Sequence, residues 1–507
     1  MTCLRYALVL ALVPLTACPD TQSSTTVSVS QPPHRHRQLA ARGSSSLPHP
    51  DFRILTCGAT TVAAVTIPAG GLETIELPWV PELKGTGGAE ASVISRGGAY
   101  RLRSTLPVTV YQFNALEYRI ARDCANEITS GQDPFDGQCF SFTNDASLLL
   151  PTHVMTANYM VLARPTRVTQ FSSAFSPPQV SASPGFFAVI GVEETPTVVS
   201  IDFAANVQAS VDGSVRAFRP GENGMFTLNQ GDVLQILSGL PTTCINPGRT
   251  EDAGGQTVTY CQAGDAYDLT GSVVRAAAGS RVGIISGHNC DFVPYDKWAC
   301  DHLEEAMFPL EAWGKDYIVS ASEPLRAEPN LVRVVSSVDG NSLTFDPASV
   351  HAAVTLNRGQ SLDFEASQDF RVVGTEAFAV VQHLVGQDYA GISTGGMEGN
   401  GDPAFSLAIP TEQFRTSYDF LAPLTYVISY VNVTAPSGAT VTLDGAPVTG
   451  FREVGGTGFA TARVEISGGA HHIEGGSPFG IVVYGFGSYT SYMYPGGLDF
   501  EAINIPF

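Results

Sequence analysis

The stretch PLEAWGKDY, residues 309–317, decides the fold because its spacing recurs as PTHVMTANY at 151–159 and as PTEQFRTSY at 410–418. Each copy has a proline, a large apolar residue four positions later and a tyrosine eight positions later. The shared positions are Pro151, Met155 and Tyr159; Pro309, Trp313 and Tyr317; and Pro410, Phe414 and Tyr418. One such match could arise by chance, whereas three indicate an internal repeat.

The conserved spacing within the three copies is compatible with a short helix that has proline at its first position. Two interpretations of the aromatic residues are open. They could form a platform on which sugar rings stack, or they could close the end of each repeat as part of its core. The repetition favours the core interpretation.

Each copy precedes sequence that is typical of β-hairpins, such as LVRVVSSVDGNSLTFDP, in which apolar and polar residues alternate around a turn. A glycine-punctuated run and a closing pair of strands follow each time. A further closing pair, YRLRSTLPVTVYQFN at 100–114, lies upstream without an opening half. We therefore predict an all-β protein of tandem β-sandwich-like modules built from a repeated strand-rich unit, with the first unit incomplete.

The predicted limits follow the repeat. They are a lipoprotein signal peptide at 1–18, a disordered tether at 19–56, an incomplete first module at 57–150, a second module with disulfide loops at 151–308, a third at 309–409 and a fourth at 410–507.

The overall charge argues against nucleic acid as a partner. The net charge is −21, and lysine occurs only at Lys84, Lys297 and Lys315. No basic patch is available to neutralise phosphates or to bind an anionic membrane surface.

The first residues predict export. Arg5 precedes an apolar run at 6–13 that is too short to span a bilayer. Leu15, Thr16, Ala17 and Cys18 resemble the lipobox of bacterial lipoproteins, which predicts lipidation of Cys18 and an outer-membrane or cell-surface location. The alternative is an ordinary signal peptide with a chance cysteine. Residues 19–50 contain few large apolar groups, which predicts a flexible tether.

Export predicts oxidised cysteines. Proximity in the sequence pairs Cys124 with Cys139, Cys244 with Cys261, and Cys290 with Cys300, all in predicted loops. A disulfide that closes a loop of about fifteen residues removes roughly 3 kcal/mol of unfolded-chain entropy.

Cys57 has no partner in this scheme and falls where the opening strands of the first unit are expected. Either the first unit has lost those strands, or the sequence is wrong over part of this region.

The run GHNCDFVPYDKWACDHLEE, residues 287–305, contains the densest group of potential ligands. They are His288, Cys290, Cys300 and His302, with Asp301, Glu304 and Glu305 as supporting acids. The spacing H-x-C then C-x-H matches no common structural zinc pattern, and exported cysteines so close together usually oxidise. A disulfide is the favoured interpretation and zinc the alternative.

The acids of this run also fit the repeat. They precede Pro309 as Asp145 precedes Pro151 and as Asp402 precedes Pro410. This recurrence favours a structural role over a catalytic one.

Three runs resemble the IgGFc-binding protein amino-terminal domain family: CDHLEEAMFPLEAWGKDYIV, SFTNDASLLLPTHVMTANYMVLARP and GIVVYGFGSYTSYMYPGG. The resemblance covers most of residues 60–500 and is most specific at 300–317. It implies a secreted, non-catalytic binding or adhesive role, and it transfers no ligand residues. The sequence departs from the family pattern ahead of Cys57, where bacterial members usually have further strands and cysteines.

Three functions remain open. The chain contains no H-E-x-x-H, G-x-S-x-G, P-loop or EF-hand motif, and no cofactor is predicted. The favoured hypothesis is a lipid-anchored surface module that binds an unknown extracellular protein or glycan and touches the membrane only through its lipid. A hydrolase would require a pocket that gathers the acidic and histidine cluster Asp291, Asp296, Asp301, His302, Glu304 and Glu305. An acidic calcium-binding layer is the third hypothesis.

Overall fold

The computed structural model describes residues 145–504, apart from 254, 390–400 and 488. Ahead of residue 145 it describes 6–11, 25–30, 51–56, 61–67, 71–77, 80–84, 91–114, 117–118 and 139–140. These residues confirm the all-β prediction. Their helical structure comprises the four-residue helix α1 (Pro81–Lys84) and 3-10 turns at Asp265–Tyr267, Leu310–Ala312 and Thr411–Gln413. No helix in the described part of the chain is long and apolar enough to cross a membrane.

The strands fall into four successive groups. The first comprises β1 (Tyr6–Ala11), β2 (Thr25–Ser30), β3 (Asp51–Thr56), β4 (Thr61–Thr66), β5 (Leu72–Leu77), β6 (Val93–Ser95), β7 (Ala99–Ser104), β8 (Thr109–Asn114), β9 (Glu117–Tyr118), β10 (Cys139–Phe140) and β11 (Ala146–Leu148). The second comprises β12 (Asn158–Met160), β13 (Arg167–Ser173), β14 (Ser176–Ser183), β15 (Gly185–Gly191), β16 (Thr197–Asp202), β17 (Asn223–Leu228), β18 (Val233–Leu237), β19 (Asn246–Ala253), β20 (Gln256–Gln262), β21 (Val273–Ala276), β22 (Val282–Phe292) and β23 (Cys300–Ala306).

The third group comprises β24 (Asp316–Val319), β25 (Asn330–Ser336), β26 (Asn341–Asp346), β27 (Val354–Leu356), β28 (Ser361–Ala366), β29 (Phe370–Gly374), β30 (Phe378–Leu384) and β31 (Ala404–Leu407). The fourth comprises β32 (Arg415–Ala422), β33 (Ile428–Pro436), β34 (Val441–Leu443), β35 (Ala446–Pro447), β36 (Arg452–Glu453), β37 (Phe459–Ile466), β38 (Gly469–Gly487) and β39 (Thr490–Pro495).

The second, third and fourth groups repeat one strand order. The third module pairs β24-β29-β26-β27 in one sheet and β28-β25-β30-β31 in the other. The second module has the corresponding sheets β12-β21-β16-β17 and β23-β22-β15-β18, and β6 extends the latter. In the fourth module the long strand β38 belongs to both sheets, so the two join into one. The repeat found in the sequence is thus a repeat of the fold.

The first module differs from its prediction. Its sheets β1-β7-β3-β4 and β11-β8-β2-β5 have the order of the other modules, so β1, β2 and β3 stand where opening strands were thought to be missing. These strands lie within the predicted signal peptide and tether. β1 was interpreted as the apolar run of an export signal, whereas β2, TTVSVS at 25–30, has few large apolar residues although strand pairing uses backbone groups. Cys18 lies outside the described residues.

The last strands of the four modules meet at the centre of the molecule. β11 contacts β23 and β39, and β31 contacts the same two strands. The carboxylate of Asp145, just before β11, accepts backbone N–H groups from all four: Ala146 at 2.9 Å, Glu304 at 3.2 Å, Phe405 at 3.2 Å and Met493 at 3.4 Å. One side chain therefore joins four modules that are distant in the sequence.

The repeat tyrosines occupy equivalent positions in the core. The hydroxyl oxygens of Tyr159, Tyr317 and Tyr418 each accept the backbone N–H three residues upstream, at 3.2, 3.2 and 2.9 Å. All three are at most 2% exposed. These contacts support the core interpretation over a sugar platform. The predicted helical segment is only a single turn in each copy, closed in the second module by the N–H of Val154 bonding to the carbonyl of Pro151.

Buried ion pairs join the second and third modules. Arg333 bonds Asp268 and Asp363, each at 2.7 Å, while Arg164 bonds Asp291 at 2.8 Å and Asp363 at 3.3 Å. Burial alone would raise the pKa of Asp363, but Arg333 outweighs it and holds that pKa well below its usual range. Removing one partner would leave a buried charge without its counter-charge, which is strongly unfavourable. These ion pairs therefore fix the second and third modules against each other.

A candidate binding surface on the second module

The second module has a four-stranded sheet with no counterpart in the described residues of the third and fourth modules. It arises from two inserted hairpins, β13–β14 and β19–β20, which pair in the order β14-β13-β20-β19. We call this sheet, together with residues 290–300 at the end of the β22–β23 hairpin, the stapled face.

Two disulfides fasten the stapled face. Cys244 is bonded to Cys261, and Cys290 to Cys300, as predicted. Three of these cysteines lie within strands β20, β22 and β23, so the bridges hold a sheet rather than the loops that were expected. The predicted Cys124–Cys139 pair and the environment of Cys57 lie outside the described side chains.

The inserted sheet has little core of its own. Its buried apolar residues include Val168 and Ala263 beside Cys261, with Val180 and Ala182 partly covered. A covalent link compensates for such limited burial, because it lowers the entropy of the unfolded chain.

Aromatic rings and guanidinium groups pack together on this face. The ring centroid of Phe292 lies 5.7 Å from that of Tyr260 and 5.2 Å from that of Trp298. The guanidinium of Arg167 lies 4.7 Å from the centroid of Phe292, and that of Arg249 lies 4.6 Å from Tyr260. Contacts between cations and ring faces hold these side chains in defined positions.

The end of the hairpin also contacts the third module. The ammonium of Lys297 lies 5.4 Å from the ring centroid of Tyr389, and the backbone N–H of Asp388 donates to the carbonyl of Trp298 at 2.9 Å. Burial raises the pKa of Tyr389 to about 12, with its hydrogen bond to Glu365 adding to the rise. The segment that presents Trp298 is thus supported from two modules.

Apolar side chains on the stapled face reach solvent. Trp298 and Ile245 are each 46% exposed, and Phe175, in the β13–β14 turn, is fully exposed. Exposed aromatic residues beside arginines resemble the composition of protein interfaces.

The base of the same hairpin is buried at the centre of the molecule. Burial lowers the pKa of His288 to about 4, which leaves its imidazole neutral at pH 7. His302 stacks on Phe186 with ring centroids 5.8 Å apart. Both oxygens of Glu304 accept from the Nε2 of Gln112 at 3.0 Å. His288, His302 and Glu304 are all fully buried, which indicates a role in packing.

The structure separates the residues of the alternative zinc and hydrolase sites. Cys290 and Cys300 are bonded to each other, so their sulfur atoms are not thiolate ligands. Asp291 is paired with Arg164, and the backbone carbonyl of Asp296 accepts from Arg249 on the stapled face. Across the described ranges, no group of three or more His, Cys, Asp or Glu residues is placed to hold a metal ion.

Sequence reasoning missed the aromatic and arginine cluster. It predicted a disulfide between Cys290 and Cys300 and gave no role to Trp298, Arg167 or Arg249. The available signal was the aromatic content of FVPYDKW between the two cysteines. Arg167 and Arg249 gave no signal because only the strand pairing brings them to that segment.

Comparison with known proteins supports the resemblance seen in the sequence. The family model described as IgGFc binding protein matches residues 145–485. The human IgGFc-binding protein is 27% identical over 223 residues, which are 44% of this chain and 3% of that protein. No solved structure matches. The matched range runs from the central Asp145 through the second and third modules into β38, and on this evidence the chain belongs to the IgGFc binding protein family.

Proposed function

We propose that this chain is a non-catalytic, cell-surface binding or adhesion module that recognises an extracellular protein or glycan through the stapled face. The observation behind this proposal is the additional sheet of the second module, which is fastened by disulfides and presents exposed aromatic and partly exposed basic side chains. Membership of a family named for binding supports the same class of function.

The physical argument is preorganisation. Binding costs less when the contact residues are already ordered, and aromatic and arginine side chains supply much of the energy at interfaces. The two disulfides and the contact with Asp388 order the segment around Trp298 before any ligand arrives. The name of the human relative describes binding to IgG Fc by that protein, and this chain covers 3% of it, so we leave the ligand unassigned.

The placement of the acids supports binding over hydrolysis. Asp301, His302 and Glu304 are fully buried among backbone and amide partners at the centre of the molecule, whereas Asp296 lies on the stapled face. The residues required for the alternative hydrolase are therefore divided between two regions.

The substitution Trp298→Ala tests the proposal. We expect binding to an extracellular protein or glycan, identified from an array of both, to weaken roughly tenfold or more, as at interface hot spots. Leu424→Ala is the matched control, because Leu424 is 79% exposed but lies in the fourth module. Equal binding by Trp298→Ala and the unsubstituted protein would remove the stapled face from recognition.

The proposed anchor is a lipid on Cys18, supported by the sequence LTAC at 15–18. Cleavage ahead of Cys18 removes β1, so the anchored form of this sheet retains β7, β3 and β4. Metabolic labelling with a radioactive fatty acid should label the unsubstituted protein and leave Cys18→Ser unlabelled. Equal labelling of both would place the lipid elsewhere.

A further inference from the structure

Glutamate-bearing turns join successive modules. In the third module, Glu311 lies two residues after Pro309 and bonds back to the second module. Its carboxylate accepts the hydroxyl of Thr156 at 2.9 Å and the side-chain amide of Asn158 at 2.8 Å. Both partners stand just ahead of the repeat tyrosine, Tyr159.

The same contact recurs between the third and fourth modules. Glu412 lies two residues after Pro410, and its carboxylate accepts the backbone N–H of Lys315 at 2.9 Å. Lys315 is two residues ahead of Tyr317. A side chain at Gly314 would meet Pro410 and Glu412, so this junction is closely packed. The rule is that the Pro-x-Glu turn of one module binds the residues ahead of the tyrosine in the module before it.

Among the residues that the structure describes, no Pro-x-Glu turn occupies the corresponding position in the fourth module. The residues ahead of Tyr418 include Arg415 and Ser417, and both line a cavity of about 390 Å³ between the first and fourth modules. Within the part of the chain that the structure describes, no carboxylate lies within ion-pair distance of the Arg415 guanidinium. The turn of the second module at Pro151 forms another side of this cavity.

The cavity combines an apolar wall with charge. Leu148, Leu149 and Leu150 line it and are 5–6% exposed. Two carboxylates line it as well: Asp419 is bonded to His472 at 2.8 Å, and Asp499 is exposed at the rim. Its size and its position at a junction between modules are typical of ligand sites.

We propose that this cavity binds a Pro-x-Glu turn from a partner polypeptide, with the glutamate on Arg415 and an adjacent apolar side chain on the leucine wall. The turn at Pro309 shows the required pair of features, since Leu310 is 1% exposed while Glu311 bonds polar groups. The site is separate from the stapled face.

A peptide with the sequence AIPTEQF, residues 408–414, is the direct probe. Its fluorescently labelled form should bind the full chain saturably in an anisotropy titration. We expect binding to weaken roughly tenfold or more for Arg415→Ala and for the Glu412→Gln peptide, because a charge-assisted hydrogen bond is lost. Arg415→Lys should restore part of the affinity.

Arg452→Ala is the matched control, because Arg452 is an exposed arginine of the fourth module outside the cavity. It should bind the peptide unchanged, as should Trp298→Ala, which separates this test from that of the stapled face. Equal affinity for the Glu and Gln peptides, or no saturable binding, would overturn the proposal. Self-association that Arg415→Ala abolishes would also overturn it, since a second copy would then be the occupant.

Discussion

The two ends of the β22–β23 hairpin serve opposite purposes. At the outer end, residues 290–300 combine a disulfide, a half-exposed tryptophan and neighbouring arginines on the surface. At the inner end, His302, Glu304 and Glu305 are fully buried where the four modules meet. The comparison teaches that residue type alone does not indicate chemistry. Acids and histidines that seem catalytic in a sequence serve packing when the fold excludes water from them.

The largest effect is expected at the inner end. Asp145→Ala removes the acceptor of four backbone N–H groups, which become unsatisfied in a buried position. We expect the free energy of unfolding to fall by about 4 kcal/mol, measured by urea denaturation. Glu194→Ala, at an exposed carboxylate of the second module, should change it by less than about 0.5 kcal/mol. Comparable losses for the two variants would refute the joining role of Asp145.

A smaller effect is expected at the outer end. Replacing Cys290 and Cys300 by serine opens a loop with a sequence separation of 10 residues. The loss of stability should be about 3 kcal/mol by the loop-entropy relation, measured by thermal unfolding against the protein with its disulfides intact. The fluorescence of Trp298 should shift toward that of a solvated indole. An unshifted spectrum would show that the bridge does not position the tryptophan.

The smallest effect concerns pH at the inner end. Burial raises the pKa of Glu305 well above its usual range, and the neighbouring carboxylates Asp145 and Glu304 add to the rise. The folded state therefore retains a proton that the unfolded state releases, so this group favours folding increasingly as pH falls from neutral toward the unfolded pKa of about 4.3.

Glu305→Gln should remove the pH-dependent gain in stability, because glutamine does not titrate. In denaturant titrations, the variant should be more stable than the unsubstituted protein at pH 7.5. This advantage should be smaller at pH 5. A difference that does not vary with pH would mean that Glu305 is ionised in the folded protein.

Much of the architecture was predictable from local patterns. The proline, aromatic and tyrosine spacing identified the repeat, because each module needs the same core residues at the same strand ends. Cysteine proximity identified the Cys244–Cys261 and Cys290–Cys300 bridges. Both signals are short in sequence and depend on only a few residues.

Long-range contacts were not predictable in this way. Asp145 and Met493 are 348 residues apart, and Arg167 reaches Phe292 only because inserted strands bring it there. The strand β2 was missed because its sequence has few large apolar residues, while its pairing uses the backbone.

The sequence by itself determined the class of fold, the repeated unit, two disulfides and the family, because each follows from spacing along the chain. Only the tertiary structure decided which acids are buried, which aromatic rings reach solvent and which residues line the cavity between the first and fourth modules. Burial and solvent access are set by contacts between modules and between inserted strands, and no local pattern contains those contacts.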